Sequence, residues 1–204
     1  MPNKVFCALF LVFIMVLPGI AADWSVIPRG GLSSPTGKTG ETWQPGYDVE
    51  LDFTCNCCSE HRLGARFGFH RWKPDAEELL MVNGRDFAVE QSHGWLAIGE
   101  VSGLVDYHLI DVPNGLGSVW AEGGLGAFYV RQPDVLVKGV CEQGSAALVH
   151  TVTFEHNMEF SPGISVGLSM IIIDRIKPMV RYQHIFTSGD ATSLFSVGLG
   201  LMAR

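Results

Sequence analysis

The densest group of reactive side chains lies between residues 55 and 61, where Cys55, Cys57 and Cys58 stand just before His61. Thiolates and an imidazole are donors that zinc accepts, yet this spacing matches no standard ligand set. In an oxidising compartment the same thiols would close a local disulfide, such as Cys55 to Cys58. Cys141 lies far along the chain, and disulfide chemistry needs Cα atoms within about 7 Å, so a bridge from this group to Cys141 is not expected. No Cys-x-x-Cys-His run occurs, which excludes a c-type haem. Neither a resident metal nor a cofactor is expected. The remaining ionisable residues fall into rows: Asp48, Glu50 and Asp52 occupy alternate positions, and so do Arg66, His70 and their neighbours.

Rows of that kind require strands, because only a period of two sends successive side chains to opposite faces. Along residues 46–54, Tyr47, Val49, Leu51 and Phe53 share one face and the carboxylates the other. Along 63–72, Leu63, Ala65, Phe67 and Phe69 oppose Gly64, Arg66, Gly68 and His70. Each segment has about the 9–11 residues that a tilted strand needs to cross a bilayer. Further strands are expected at 23–32, 94–109, 117–131, 163–173, 178–186 and 193–203. The total is eight, an even number, as closed antiparallel barrels of bacterial membranes require. If the polar faces point inward, the lumen collects Arg29, Asp48, Glu50, Asp52, Arg66, His70, Glu100, Asp106, Glu122, Arg181 and Gln183. An eight-stranded barrel has room only for its own side chains, so opposite charges would pair and plug it. The reverse orientation would place an arginine in lipid at about 2–4 kcal/mol. A soluble, lipocalin-like barrel would turn every face inside out, with Tyr47, Leu51, Phe67 and Ile164 around a small apolar ligand. The glycines and serines on the polar faces favour a cramped lumen instead. Trp24, Trp43, Trp72, Trp95, Tyr107, Tyr129, Tyr182 and Phe186 fall near strand ends, where headgroup girdles belong.

The N-terminus sets the compartment. Lys4, the apolar run from Val5 to Leu17 and the small-residue exit Gly19-Ile20-Ala21-Ala22 read as a secretory signal cleaved after residue 21, leaving a single barrel domain at 22–204. No other apolar run reaches 18 residues, so no spanning helix is expected. The 14 Lys and Arg are outnumbered by 21 Asp and Glu and never cluster, which excludes a nucleic-acid partner. Connections after the second, fourth and sixth strands are short, and the others are mostly long, as in outer-membrane barrels. Asn114-Gly115 has turn chemistry. Residues 132–162 contain two runs, 135–141 and 146–154, expected as a projecting hairpin, with a ten-stranded wall as the alternative. Loops 73–93 and 132–162 are the expected sites of contact with an extracellular ligand, since recognition concentrates in loops on a rigid scaffold.

The chain resembles the small outer-membrane β-barrel proteins of the OmpA/OmpX-like type, through Gly31-Leu32-Ser33-Ser34-Pro35-Thr36-Gly37, Gly64 to Trp72, Gly123-Gly124-Leu125-Gly126-Ala127-Phe128-Tyr129, and Arg181 to Phe186 followed by Gly198-Leu199-Gly200-Leu201. That resemblance implies an eight-stranded up-and-down barrel in the bacterial outer membrane, with outer-membrane lipid and lipopolysaccharide as its surroundings; the expected function is a structural or surface-contact role without intrinsic catalysis. Such barrels usually end in an aromatic residue, whereas this chain ends Met202-Ala203-Arg204. The closing strands also look like those of lipid A deacylases, which are acyl hydrolases. On that alternative the catalytic candidates are His184, Ser188 and His156, although Ile185-Phe186 stands where that family carries Ser-Asn after its histidine.

Overall fold

The computed structural model describes residues 24–56, 60–75, 88–132, 134–140, 147–152, 158–188 and 191–202. The expected leader, Cys57, Cys58, Cys141 and His156 lie outside them. The alternating segments form eleven strands: β1 (Trp24–Thr36), β2 (Gly46–Asn56), β3 (His61–Trp72), β4 (Ala88–His93), β5 (Leu96–Val112), β6 (Gly117–Arg131), β7 (Val135–Val140), β8 (Ala147–Val152), β9 (Met158–Ile172), β10 (Ile176–Ile185) and β11 (Thr192–Leu201). Eight of these close into a barrel in the order β1-β11-β10-β9-β6-β5-β3-β2, every neighbouring pair antiparallel. Closure leaves the wall no free strand edge, the condition for spanning hydrocarbon with strands.

The ten-stranded alternative is overturned. Residues 135–140 and 147–152 pair only with each other and with β4, giving a separate three-stranded sheet ordered β4-β7-β8. The projecting hairpin is therefore present, joined by a strand from the preceding long loop that the sequence does not announce. Two of the short turns carry the positive φ angles that tight reversals need: Gly115 at 67°, and the pair Ile173 and Asp174 at 51° and 55°. The long connections, including the short helix α1 (Lys38–Thr42), gather at the opposite end.

Side chains sort by the pleat. Leu32, Val49, Leu125, Phe160, Val166, Phe195 and Leu199 are exposed on the outside, whereas Arg29, Asp52, Arg66 and Arg181 are buried inside. Apolar residues thus face lipid and ionic ones face the axis. This excludes the lipocalin-like arrangement: Tyr47, Phe67 and Ile164, its cavity residues, are among the exposed hydrophobics. Two expected girdle residues also sit elsewhere. Trp43 and Trp72 are buried in an apolar cluster with Leu96, Ile98, Phe128, Val130, Val135, Ile185 and Leu194. Trp72 belongs there because its position on β3 has the inward parity of Arg66 and His70; its Nε1 donates to the Ser33 carbonyl at 3.0 Å. The cluster fills the barrel at the long-loop end.

Candidate functional site: the charged lumen

Between that apolar plug and the short-turn end runs a belt of charge. The inward parity of β2 delivers Asp48, Glu50 and Asp52; β3 delivers Arg66 and His70; β5 delivers Glu100, Ser102 and Asp106. Glu122 comes from β6, Arg29 from β1, and Lys177, Arg181 and Gln183 from β10. All are buried. Space for the long cations comes from small residues on the facing strands, such as Ser165, Ser169 and Ser196.

The pairing is dense and largely bidentate. Arg66 donates Nε to Asp52 Oδ1 at 2.7 Å and Nη2 to Asp52 Oδ2 at 3.1 Å, and its Nη2 also reaches Glu122 Oε2 at 3.2 Å. Arg29 donates Nη1 and Nη2 to the two Glu122 oxygens at 3.3 and 3.2 Å and forms an ion pair with Asp52. Arg181 grips both oxygens of Glu50. Lys177 donates to Asp106 Oδ2 at 3.0 Å and also pairs with Glu122. Glu100 accepts from Ser102 Oγ at 2.7 Å and from Gln183 Nε2 at 2.8 Å, and it lies 3.3 Å from His70 Nε2. Two-point guanidinium–carboxylate contacts fix orientation as well as charge, so this belt ties six strands together across the axis.

Every residue of the expected lumen network is therefore brought inside. Lys177 is the functional residue that sequence reasoning missed, because the sixth connection was expected to run through it and the next strand to start at Pro178. Continuing the parity of Arg181 and Gln183 back by four residues, through Met179, would have found it. Cys55 is buried at the end of β2, and its expected partner Cys58 lies outside the described residues.

Of the expected catalytic candidates, His156 lies outside the described residues, and His184 and Ser188 are each engaged elsewhere. Ser188 is turned toward Glu159, with its amide 2.6 Å and its hydroxyl 3.0 Å from that carboxylate. His184 instead meets Ser193, its register partner on β11, at 2.9 Å between Nδ1 and Oγ. Tyr182 Oη is 2.9 Å from the same Oγ. These three belong to the outward face at the long-loop end. Also at that end, Arg71 stacks on Trp95, 3.8 Å from the ring centre, and Lys73 approaches the same ring at 5.3 Å. At the other end Arg62 lies 3.9 Å over Trp120. The Arg71–Trp95 pair suits the headgroup level of a membrane, whereas Trp120 is buried and its pair with Arg62 faces the lumen.

No protein-family model matches this sequence, and no curated protein matches it. Among solved structures, the attachment invasion locus protein Ail of Yersinia pestis is similar with a TM-score of 0.51 at 12% identity, over 89% of this chain and 100% of Ail. Neisserial surface protein A gives 0.44 at 11% identity, over 89% of this chain and 96% of that one. The outer membrane enzyme PagL gives 0.45 at 12% identity, over 88% and 99%. At these identities a likeness establishes fold and nothing finer, and of these three the Ail comparison, with a TM-score above 0.5, is the one that carries it. Taken with the closed antiparallel wall, the apolar exterior and the ionic interior, it makes this chain a transmembrane β-barrel with the fold of the small eight-stranded, OmpA/OmpX-like outer-membrane proteins.

Proposed function

We propose that this protein is a non-conducting and non-catalytic scaffold of the bacterial outer membrane. Its working surface is the β4-β7-β8 sheet with the long loops, which present contacts to molecules outside the cell. What supports the reading is the packing of ionic and apolar side chains inside the barrel. The Arg29–Asp52–Arg66–Glu122–Lys177 network crosses the axis, and the cluster around Trp43, Trp72 and Phe128 fills the long-loop end. A barrel filled by its own side chains offers no water-filled path. Planar bilayers containing the purified barrel should show no stepwise conductance. Discrete channel openings at neutral pH would refute the plugged reading.

A second reading, acyl hydrolysis at the membrane surface, is favoured by one contact: the His184 Nδ1–Ser193 Oγ pair, which has the reach a base needs to activate a hydroxyl nucleophile. An acidic group orienting the other imidazole nitrogen would complete a triad; the neighbour of that ring is instead Phe186, edge to face at 4.8 Å. Release of fatty acid from lipopolysaccharide should be absent for the wild-type protein. Release that disappears in both His184→Ala and Ser193→Ala would replace the scaffold reading with this one.

A further inference from the structure

Leaving aside Arg62, half-buried opposite Asp106 at the short-turn end, the wholly buried side chains of the lumen do not balance electrically. Its buried charged side chains include four cations, Arg29, Arg66, Lys177 and Arg181, against six carboxylates, Asp48, Glu50, Asp52, Glu100, Asp106 and Glu122. Four of the carboxylates sit in ion pairs with those cations: Asp52, Glu122, Asp106 and Glu50. The two left over are Asp48 and Glu100, and they lie on either side of His70. Asp48 is opposite His70 in the β2–β3 register, and Glu100 is within 3.3 Å of His70 Nε2. Glu100 has neutral donors, Ser102 and Gln183. Asp48 is only 2% exposed, and neither of its oxygens has a hydrogen-bond partner; the nearby Ser196 hydroxyl does not complete one. An ionised carboxylate left alone in a dry interior is among the most expensive arrangements a protein can hold.

We propose that a divalent metal ion of the zinc type occupies this place, held by Asp48, Glu50 and His70. Each of the three offers a ligand atom, and these atoms lie within 4.8 Å of one another. On the histidine, Nε2 faces Glu100 at 3.3 Å and Glu50 at 3.9 Å, while Nδ1 has no partner, so loading the ion takes a turn of the imidazole or of Glu50 that brings the free lone pair to the carboxylates. A carboxylate that fixes the far nitrogen of an imidazole is the usual support of a metal-bound histidine. Parallel stacking on Trp72, 4° between planes at 5.7 Å, holds the ring from the plug side. Room beside Asp48 is kept by Gly31 on β1, where a Cβ would stand 2.7 Å from Asp48 Oδ1. Glu50 would keep Arg181 on one side and turn an oxygen toward the ion, which sits about 2.1 Å from each ligand. Two carboxylates with one imidazole suit zinc better than calcium or magnesium, which take oxygen donors. A dication with neutral His70 also cancels the two surplus negative charges. The site would be loaded as the barrel closes, because the apolar cluster covers it afterwards.

The test is refolding. The protein is unfolded in urea with its thiols alkylated, so that cysteines take no metal, and is refolded into detergent with zinc or with a chelator. It is then desalted for zinc analysis and urea titration. The expected result is one zinc per barrel for the wild type, retained through desalting, with a higher unfolding midpoint than the chelator-treated sample. Asp48→Asn keeps the shape and removes the charge. It should retain no zinc, unfold at the same midpoint in both conditions, and exceed the metal-free wild type in stability. A folded wild type that retains no zinc would overturn the proposal and leave a proton on Asp48 as the compensation. Equal zinc on the wild type and Asp48→Asn would overturn it too. Should Asp48→Asn fail to fold, the zinc content and midpoint shift of the alkylated wild type still decide.

Discussion

Arg66 is the hub of the lumen: one guanidinium reaches Asp52, Glu122 and Glu50, and its side chain is wholly buried. Replacing it with methionine preserves most of the volume and leaves three carboxylates facing one another. Removing one partner of a buried pair costs about 3–5 kcal/mol, mostly as the penalty of the orphaned charge. Arg66→Met should therefore unfold at a markedly lower urea concentration, followed by tryptophan fluorescence in detergent micelles. Adding Asp52→Asn should restore part of that loss, because it removes one of three carboxylates that would otherwise share only Arg29, Lys177 and Arg181. An Arg66→Met barrel within experimental error of the wild type would mean that the belt is ornamental. At this scale the sequence was generous: the alternation of Asp48, Glu50 and Asp52 against Tyr47, Val49, Leu51 and Phe53 was enough to send the carboxylates inward. It was silent on which ion meets which, because partners such as Arg181 and Glu50 are 131 positions apart, and only closure of the barrel sets that distance.

Strands differ in how plainly they declare their ends. The fifth wall strand, β6, has the expected bounds, since Gly115 before it and Gln132 after it interrupt the pattern. The sixth, β9, begins at Met158 rather than at Gly163, so the last five residues assigned to the long connection belong to the wall, and Pro162 lies beside Ala127 on β6. β4 was not legible. Its sequence Ala-Val-Glu-Gln-Ser-His has only two apolar positions, and its partner β7 comes from another loop, with an irregularity between Val89 and Gln91. Glycines within the strands are also more than turn signals. At Gly163 a Cβ would lie 2.6 Å from the Phe128 ring and 2.8 Å from the His184 carbonyl oxygen, so β9 and the apolar plug approach one another only through a missing side chain. At Gly99 the nearest atom would be 3.9 Å away. Gly163→Val should prevent formation of the heat-sensitive folded band on unboiled gels, whereas Gly99→Ala should fold normally. A normally folding Gly163→Val would show that the plug can move aside.

The molecule as a whole is a hydrophobic cylinder turned inside out relative to a soluble domain, so its stability depends on depth in the bilayer. Phe160, Leu125 and Val166 are 76%, 69% and 58% exposed, an expensive pattern in water and a favourable one in hydrocarbon, where apolar surface has no water to lose contact with. Positions along β9 separate the two environments. Val166 lies near the middle of Met158–Ile172, and Met158 starts the strand at the long-loop end. A lipid-facing arginine costs about 2–4 kcal/mol at the midplane and about 0–1 near the interface. In liposomes Val166→Arg should therefore lose several times more stability than Met158→Arg, although both put the same charge on the same outward face. A soluble barrel would give the opposite result, with both substitutions nearly neutral because water receives the guanidinium at either position. Measured as urea unfolding from the bilayer, the ratio of the two losses reports directly whether lipid surrounds the wall. Equal and small losses would place the chain in water and remove the physical reason for its ionic interior.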